Sequence, residues 1–182
     1  MLHDPGAPRI IVASGMSGTG VSTVRVRLQE AASGLAFVDA GSKWSDIADA
    51  CAPGFARIVV VTTHDIISIT SAYALIKLVR DNFTDAPVEI LVNESEERDG
   101  LRTYERIQLA CSHFLGETVG YAGSIPYDAV EDPGEMRTDG SAGAPGAAAI
   151  TALHNLAIRL DEELEATTLR GSWRTGERRG TL

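Results

Sequence analysis

Apolar residues come along this chain in two kinds of run, and the two alternate. Short runs dense in β-branched residues are Arg9-Ile10-Ile11-Val12-Ala13, Leu35-Ala36-Phe37-Val38, Ile58-Val59-Val60-Val61-Thr62-Thr63, Val88-Glu89-Ile90-Leu91-Val92 and Thr118 to Ala122. They show little polar alternation, as expected of strands covered on both faces. Between them the apolar residues recur at helical spacing. Ser22 to Ala32 places Val24, Leu28 and Ala31 on one face. Ser68 to Asp81 does so with Ile69, Ala72, Tyr73, Ile76 and Val79, and Leu101 to Leu115 with Leu101, Tyr104, Ile107, Cys111 and Phe114. Lys43 to Ala50 reads as a short helical or irregular link. This alternation predicts βαβ units, a mainly parallel sheet and helices on both of its faces: a three-layer α/β fold.

Asp132 to Gly146 breaks the pattern, being rich in Gly, Pro, Ser and Ala, and reads as a flexible loop. Ala147 to Leu169 returns to helical spacing, with Ile150, Leu153, Ala157, Leu160 and Leu164 on one face. Residues 1–169 therefore read as one domain, and the polar, basic stretch Arg170 to Leu182 as a disordered tail. The 182 residues suffice to bury a core without disulfides or metals. Cys51 and Cys111 have neither redox nor metal-ligand spacing and read as buried thiols in a reducing compartment. No secretory signal or membrane-length apolar run is visible, so the expected location is the cytoplasm. The net charge of −9 argues against nucleic acid as a partner.

The segment with the most chemical content is Gly15-Met16-Ser17-Gly18-Thr19-Gly20-Val21-Ser22, which sits between the first strand and the first helix. A glycine-rich turn there offers backbone N–H groups and a helix N-terminus to an anion. The spacing is that of a phosphate-binding loop, G-x-x-x-x-G-K-[ST], except that Val21 occupies the lysine position. Ser22 stands where a hydroxyl would reach Mg²⁺. The lysine of such loops neutralises the terminal phosphates and the transition state, and valine does neither. Three readings of the turn stand: weak residual nucleotide binding, hydrolysis, or a turn that is now only structural.

Other polar residues fall at strand ends, along the carboxyl edge where parallel sheets bind ligands. Asp39 ends the second strand and is either a Mg²⁺ contact or ordinary Asp-Ala-Gly-Ser turn chemistry. Asn93 and the Ile125-Pro126-Tyr127 run border the same edge, as does His64 beside Asp65. Glu94-Ser95-Glu96-Glu97 reads as a solvated loop and helix start. The four histidines form no ligand pair and no nucleophilic triad.

Three stretches resemble the MinD/ParA group of P-loop ATPases, and within it most resemble FlhG-type regulators of flagellar number and placement. Ile11 to Thr23 is similar to the group's deviant loop S-G-K-G-G-V-G-K-T-T. Ile58 to Lys77, with Val61-Thr62-Thr63-His64-Asp65 and Ser71-Ala72-Tyr73-Ala74-Leu75-Ile76-Lys77, resembles V-T-T-P-[ED]-P-T-[SA]-[IL]-x-D-A-Y-A-L-I-K. Leu91-Val92-Asn93, Phe114-Leu115-Gly116 and Ile125-Pro126-Tyr127-Asp128 resemble V-V-N, F-L-G and I-P-Y-D.

The resemblance implies ATP or ADP with Mg²⁺ as cofactor. Gly15, Ser17, Gly18, Thr19, Gly20, Val21, Ser22 and Thr23 would wrap the phosphates, Ser22 and Asp39 would hold the metal, and Asn93 and Pro126 would flank the adenine. The departures count equally. Met16 replaces the group's signature lysine, which reaches the partner's nucleotide in a dimer, and Val21 replaces the second lysine. The long segment that carries the catalytic aspartate between the first helix and Asp39 is almost absent, and the tail lacks the apolar stripe of a membrane anchor. The expectation is a degenerate, weakly binding or non-binding pseudo-ATPase that acts on a protein partner, without nucleotide-driven dimers. The rivals are an active small NTPase or kinase drawing its cation from Arg25 or Arg27, and a scaffold that binds no nucleotide.

Overall fold

The computed structural model describes residues 8–32, 34–83, 86–126 and 147–169. The expected loop Asp132 to Gly146, Tyr127 and Asp128 of the last motif, and the tail from Arg170 lie outside the described residues. The elements follow in the order β1 (Arg9–Ser14), α1 (Val21–Ala31), β2 (Ala36–Gly41), α2 (Trp44–Cys51), β3 (Arg57–Thr62), α3 (Ile66–Asn82), β4 (Val88–Val92), α4 (Glu97–Phe114), β5 (Gly120–Ser124) and α5 (Ala147–Leu169).

All strand pairs are parallel, in the order β2-β1-β3-β4-β5. Because β1, β3 and β4 are buried on both faces, successive side chains feed two separate cores. Ile11, Ala13, Ile58, Val60, Val88, Ile90 and Val92 pack with α2, α3 and α4 on one side. Ile10, Val12, Val59, Val61 and Leu91 pack with α1 and α5 on the other. This is the expected three-layer α/β fold. The chain leaves β1 for β2 on one side and crosses to β3 on the other, which opens a crevice at the carboxyl end of β1, the usual ligand position of such sheets.

The link at residues 43–50 is a true helix, α2, which buries Ile47 and Cys51. The strand expected at Thr118 to Ala122 lies two residues later, at Gly120–Ser124. Several apolar residues placed on buried stripes face outward instead: Leu101 at 41 % exposure, Phe114 at 71 % and Ile150 at 48 %. Small and polar residues take the inward positions, namely Gly100 and Thr103 on α4 and Ser68 on α3. Cys51 and Cys111 are free and buried, and burial pushes the Cys111 thiol up to about 11, so it stays protonated near neutral pH. Among the described residues no helix is long and apolar enough to cross a membrane.

Candidate functional site

The turn after β1 is shaped by contacts that admit only glycine at two positions. A Cβ at Gly15 would stand 2.1 Å from the Ser71 carbonyl carbon and oxygen, so the loop lies directly on the backbone of α3. Gly20 has φ +82, and a Cβ there would meet the Asn93 amide at 2.5 Å. Ser14, buried at the end of β1, closes the turn by donating from its hydroxyl to the Met16 carbonyl. Asn93, at the end of β4, donates from Nδ2 to the Thr19 carbonyl at 3.0 Å. The loop is thus braced by α3 from one side and by β4 from the other.

These braces aim the loop at the start of α1. Gly20 is the residue preceding the helix, and its carbonyl accepts the Val24 N–H at 2.9 Å. No side chain caps this N-terminus, and no carboxylate lies in its first turn. The first amides of the helix and the positive end of its dipole are left for an outside anion. The resulting cleft, about 250 Å³, is lined by Ser14, the run from Met16 to Thr23, Gly41 and Ser42. None of these side chains is charged. Thr19 is 2 % exposed, and its hydroxyl has no hydrogen-bond partner among the described residues. A buried hydroxyl in that state is costly unless a ligand or water completes it.

Seven of the expected phosphate-binding positions, Ser17, Gly18, Thr19, Gly20, Val21, Ser22 and Thr23, line one cleft. Gly15 lies behind it, against α3. Val21 has a double role. Its residue borders the cleft, yet its side chain is buried with Ile10, Val12, Val24 and Leu28 in the core beneath α5. Asp39 is exposed on β2 beside the cleft, and its Oδ1 accepts the Gly41 N–H at 2.9 Å, so the turn chemistry weighed for it is realised. Asn93 serves the loop backbone. Pro126 borders a different groove of about 500 Å³, shared with Ser95, Ser124 and the first turns of α5. Among the described residues no three carboxylate, histidine or cysteine groups converge as a metal site.

The cations offered earlier do not line the cleft. Arg27 pairs with Glu30 at 2.9 Å on the outer face of α1. Arg25 lies a turn below Val21, with its Nε buried. His64 is exposed, and its neighbour Asp65 caps α3 through the Ser68 N–H at 2.9 Å. The Thr63 hydroxyl and then the Ser68 N–H hold the Asp65 carboxyl below its ordinary value. The bracing role of Asn93 is invisible in sequence, because a strand-ending asparagine is also an ordinary turn former.

No protein-family model matches the chain, and no curated protein matches its sequence. Solved structures do match its fold. One, described as a plasmid partition protein of Borrelia burgdorferi and crystallised with AMPPNP, aligns at a TM-score of 0.56 and 8% identity, covering 86% of this chain and 99% of that one. MinD, a cell division protein of Aquifex aeolicus, aligns at a TM-score of 0.50 and 13% identity, covering 94% and 100%. The chain has the MinD/ParA-type, P-loop NTPase-like α/β fold.

Proposed function

We propose that this protein binds a nucleotide through the loop from Gly15 to Thr23 and acts as a regulatory protein rather than an efficient ATPase. The observation that carries this is the cleft itself: an uncapped helix N-terminus, a glycine turn braced from two sides and Thr19, whose buried hydroxyl has no partner among the described residues, all border one space. Those features suit phosphate oxygens, which accept from backbone N–H groups and from a hydroxyl. The AMPPNP held by the structurally similar partition protein supports an adenine nucleotide.

Mg²⁺ would approach the Ser22 hydroxyl, which lines the cleft, with Asp39 as the nearest carboxylate on β2. The metal would add charge neutralisation at the phosphates. Slow turnover follows from Met16 and Val21. The loop itself carries no lysine aimed along its backbone cradle to stabilise the developing charge on a transferred phosphoryl group. The absence of a lysine at residue 16 also removes the contact expected to tie a second copy through its nucleotide, so binding proceeds without dimerisation. The likeness of Ile58 to Lys77 to FlhG-type sequences favours a role in placing flagella or marking a cell pole, exercised through a protein partner.

Thermal unfolding with and without Mg²⁺-ATP, Mg²⁺-ADP and Mg²⁺-GTP tests the reading. Ligand at about 100 times Kd adds roughly 2.7 kcal/mol, or about 5–10 °C in Tm at this size. Adenine nucleotides are expected to give that shift, and no shift at millimolar nucleotide sinks the proposal. Thr19→Val sharpens it. Removing an unsatisfied hydroxyl leaves the free protein as stable or about 1 kcal/mol more so, while the nucleotide-induced shift shrinks.

A further inference from the structure

The cleft has a helix N-terminus and glycine N–H groups but no charge among its lining side chains. A triphosphate bound there alone would rest on partial charges. The turn after β2 changes that. Gly41 and Ser42 line the cleft, and the next residue is Lys43. Its backbone is pinned as the residue that starts α2, with its carbonyl accepting from the Asp46 and Ile47 N–H groups at 3.1 Å each. Its side chain is exposed, caps nothing, and makes no hydrogen bond or ion pair with any described residue.

The neighbouring carboxylates each have one local partner and no ion pair with Lys43. Asp39 accepts from the Gly41 N–H, and Asp46 accepts from the Ser45 hydroxyl at 3.0 Å. Adjacent Cα atoms are 3.8 Å apart, and a lysine is a flexible four-carbon stem with a mobile point charge. An anchor one residue from the lining therefore lets the ammonium reach into the cleft. Arg27 is held by Glu30, and Arg25 lies a turn further down α1.

We infer that Lys43 is the phosphate-binding cation of this cleft, supplied from the turn after β2 in place of the lysines missing at Met16 and Val21. The inference rests on the nucleotide-binding reading above. It brings the charge from the turn after β2, the other segment that lines the cleft, and the expected contact is with phosphate and not with the base. A charge-assisted contact of this kind is worth about tenfold in affinity.

The test is calorimetric titration of the full chain with ATP, ADP and adenosine, for wild type, Lys43→Gln and Lys43→Arg. Lys43→Gln is expected to weaken ATP by about tenfold, ADP by less and adenosine not at all, with Lys43→Arg staying near wild type. The Tm of the free protein should hardly move, because the side chain is exposed and makes no hydrogen bond or ion pair with any described residue. Wild-type binding of ATP that is unchanged in Lys43→Gln overturns the role of Lys43 while leaving the nucleotide reading intact. Equal losses for ATP and adenosine overturn it too. No ATP binding by wild type overturns both.

Discussion

At the amino ends of the strands, four charged side chains form a network of ion pairs; at the carboxyl ends, a loop without charge holds a buried hydroxyl that has no hydrogen-bond partner among the described residues. Arg57, which opens β3, bonds Glu89 on β4 and Glu163 on α5, the latter at 2.8 Å. Arg159 on α5 bonds Glu163 at 3.0 Å and the Ala122 carbonyl of β5 at 3.0 Å, and its guanidinium stands 3.6 Å from the second oxygen of Glu89, an ion pair rather than a hydrogen bond. Four residues from three elements thus clamp the last helix to the sheet. At the other edge lie the positive-φ residues Gly18, Gly20, Gly41 and Glu94 and the uncapped start of α1, while Gly54 and Gly116 take positive φ on the amino side. One edge is held by charge pairs within the chain, although Arg57 Nε and Glu89 Oε2 make no hydrogen bond there, and the other presents uncharged groups and a helix N-terminus.

The sharpest way to break this comparison is at Gly15, where the loop depends on the frame. Gly15→Ala forces a methyl into the Ser71 backbone, which cannot move without displacing α3. A loss of about 4 kcal/mol or more is expected in chemical denaturation, the range reserved for severe overpacking. Gly18→Ala is the contrast. It has the same backbone handicap at φ +86 but nothing within 4 Å of the added carbon. It should cost about 1 kcal/mol and be felt chiefly in nucleotide binding. Equal losses from the two would mean that the loop is not braced by α3.

The next largest effect belongs to the amino edge. The Glu89 side chain is 12 % exposed and lies between two guanidinium groups. Glu89→Ala leaves Arg57 and Arg159 to share the single carboxylate of Glu163, and a loss of about 3 kcal/mol is expected. Nucleotide affinity should not change, because the residue is at the far end of β4 from Asn93 and the loop. A substitution that harmed stability and binding alike would show that the two edges are coupled through the sheet.

Much of this was legible in the chain, and the failures have physical causes. β1, β3 and β4 stand out because strands buried on both faces must be continuously apolar, and Ile10 to Ala13, Ile58 to Val61 and Ile90 to Val92 meet that demand. β5 was displaced by two residues because Gly-Tyr-Ala-Gly-Ser carries no β-branched run. Helical spacing found α3, α4 and α5 but could not choose which apolar residues face inward. Phe114 is exposed although it sits edge-on to Tyr73, and Ile66 and Ile67 lie outside at the start of α3. The loop was found by its glycines. Its dependence on Ser71 and Asn93, and the proximity of Lys43, arise from contacts 50 or more residues apart or from a turn whose shape the spacing does not encode. The Arg57–Glu89–Arg159–Glu163 cluster was missed for the same reason, since its members come from three separate stretches of sequence.

The smallest expected effect is also the cleanest separation of the two edges, because it uses pH. Burial raises the Glu163 carboxyl, but the hydrogen bonds from Arg57 and Arg159 outweigh it, and the net shift is downward from 4.5. A carboxylate whose folded value is depressed adds stability that is fully present above its unfolded value and is lost as pH falls through its folded one. The protein should therefore lose stability on acidification below about pH 4.5, and part of that loss should trace to the amino edge. Asp65 at the carboxyl edge is shifted in the same direction by Thr63 and Ser68, so it contributes with the same sign. Denaturation midpoints between pH 7 and pH 3 for wild type, Glu163→Gln and Asp65→Asn divide the effect. Each variant should start slightly below wild type at neutral pH and flatten the acid limb, and the curves should meet once both carboxyls are protonated. An acid limb left unchanged by Glu163→Gln would mean that the guanidinium groups already find equivalent partners in Glu89 and water, and that the clamp on α5 is held by packing of Leu153, Leu156 and Leu160 instead.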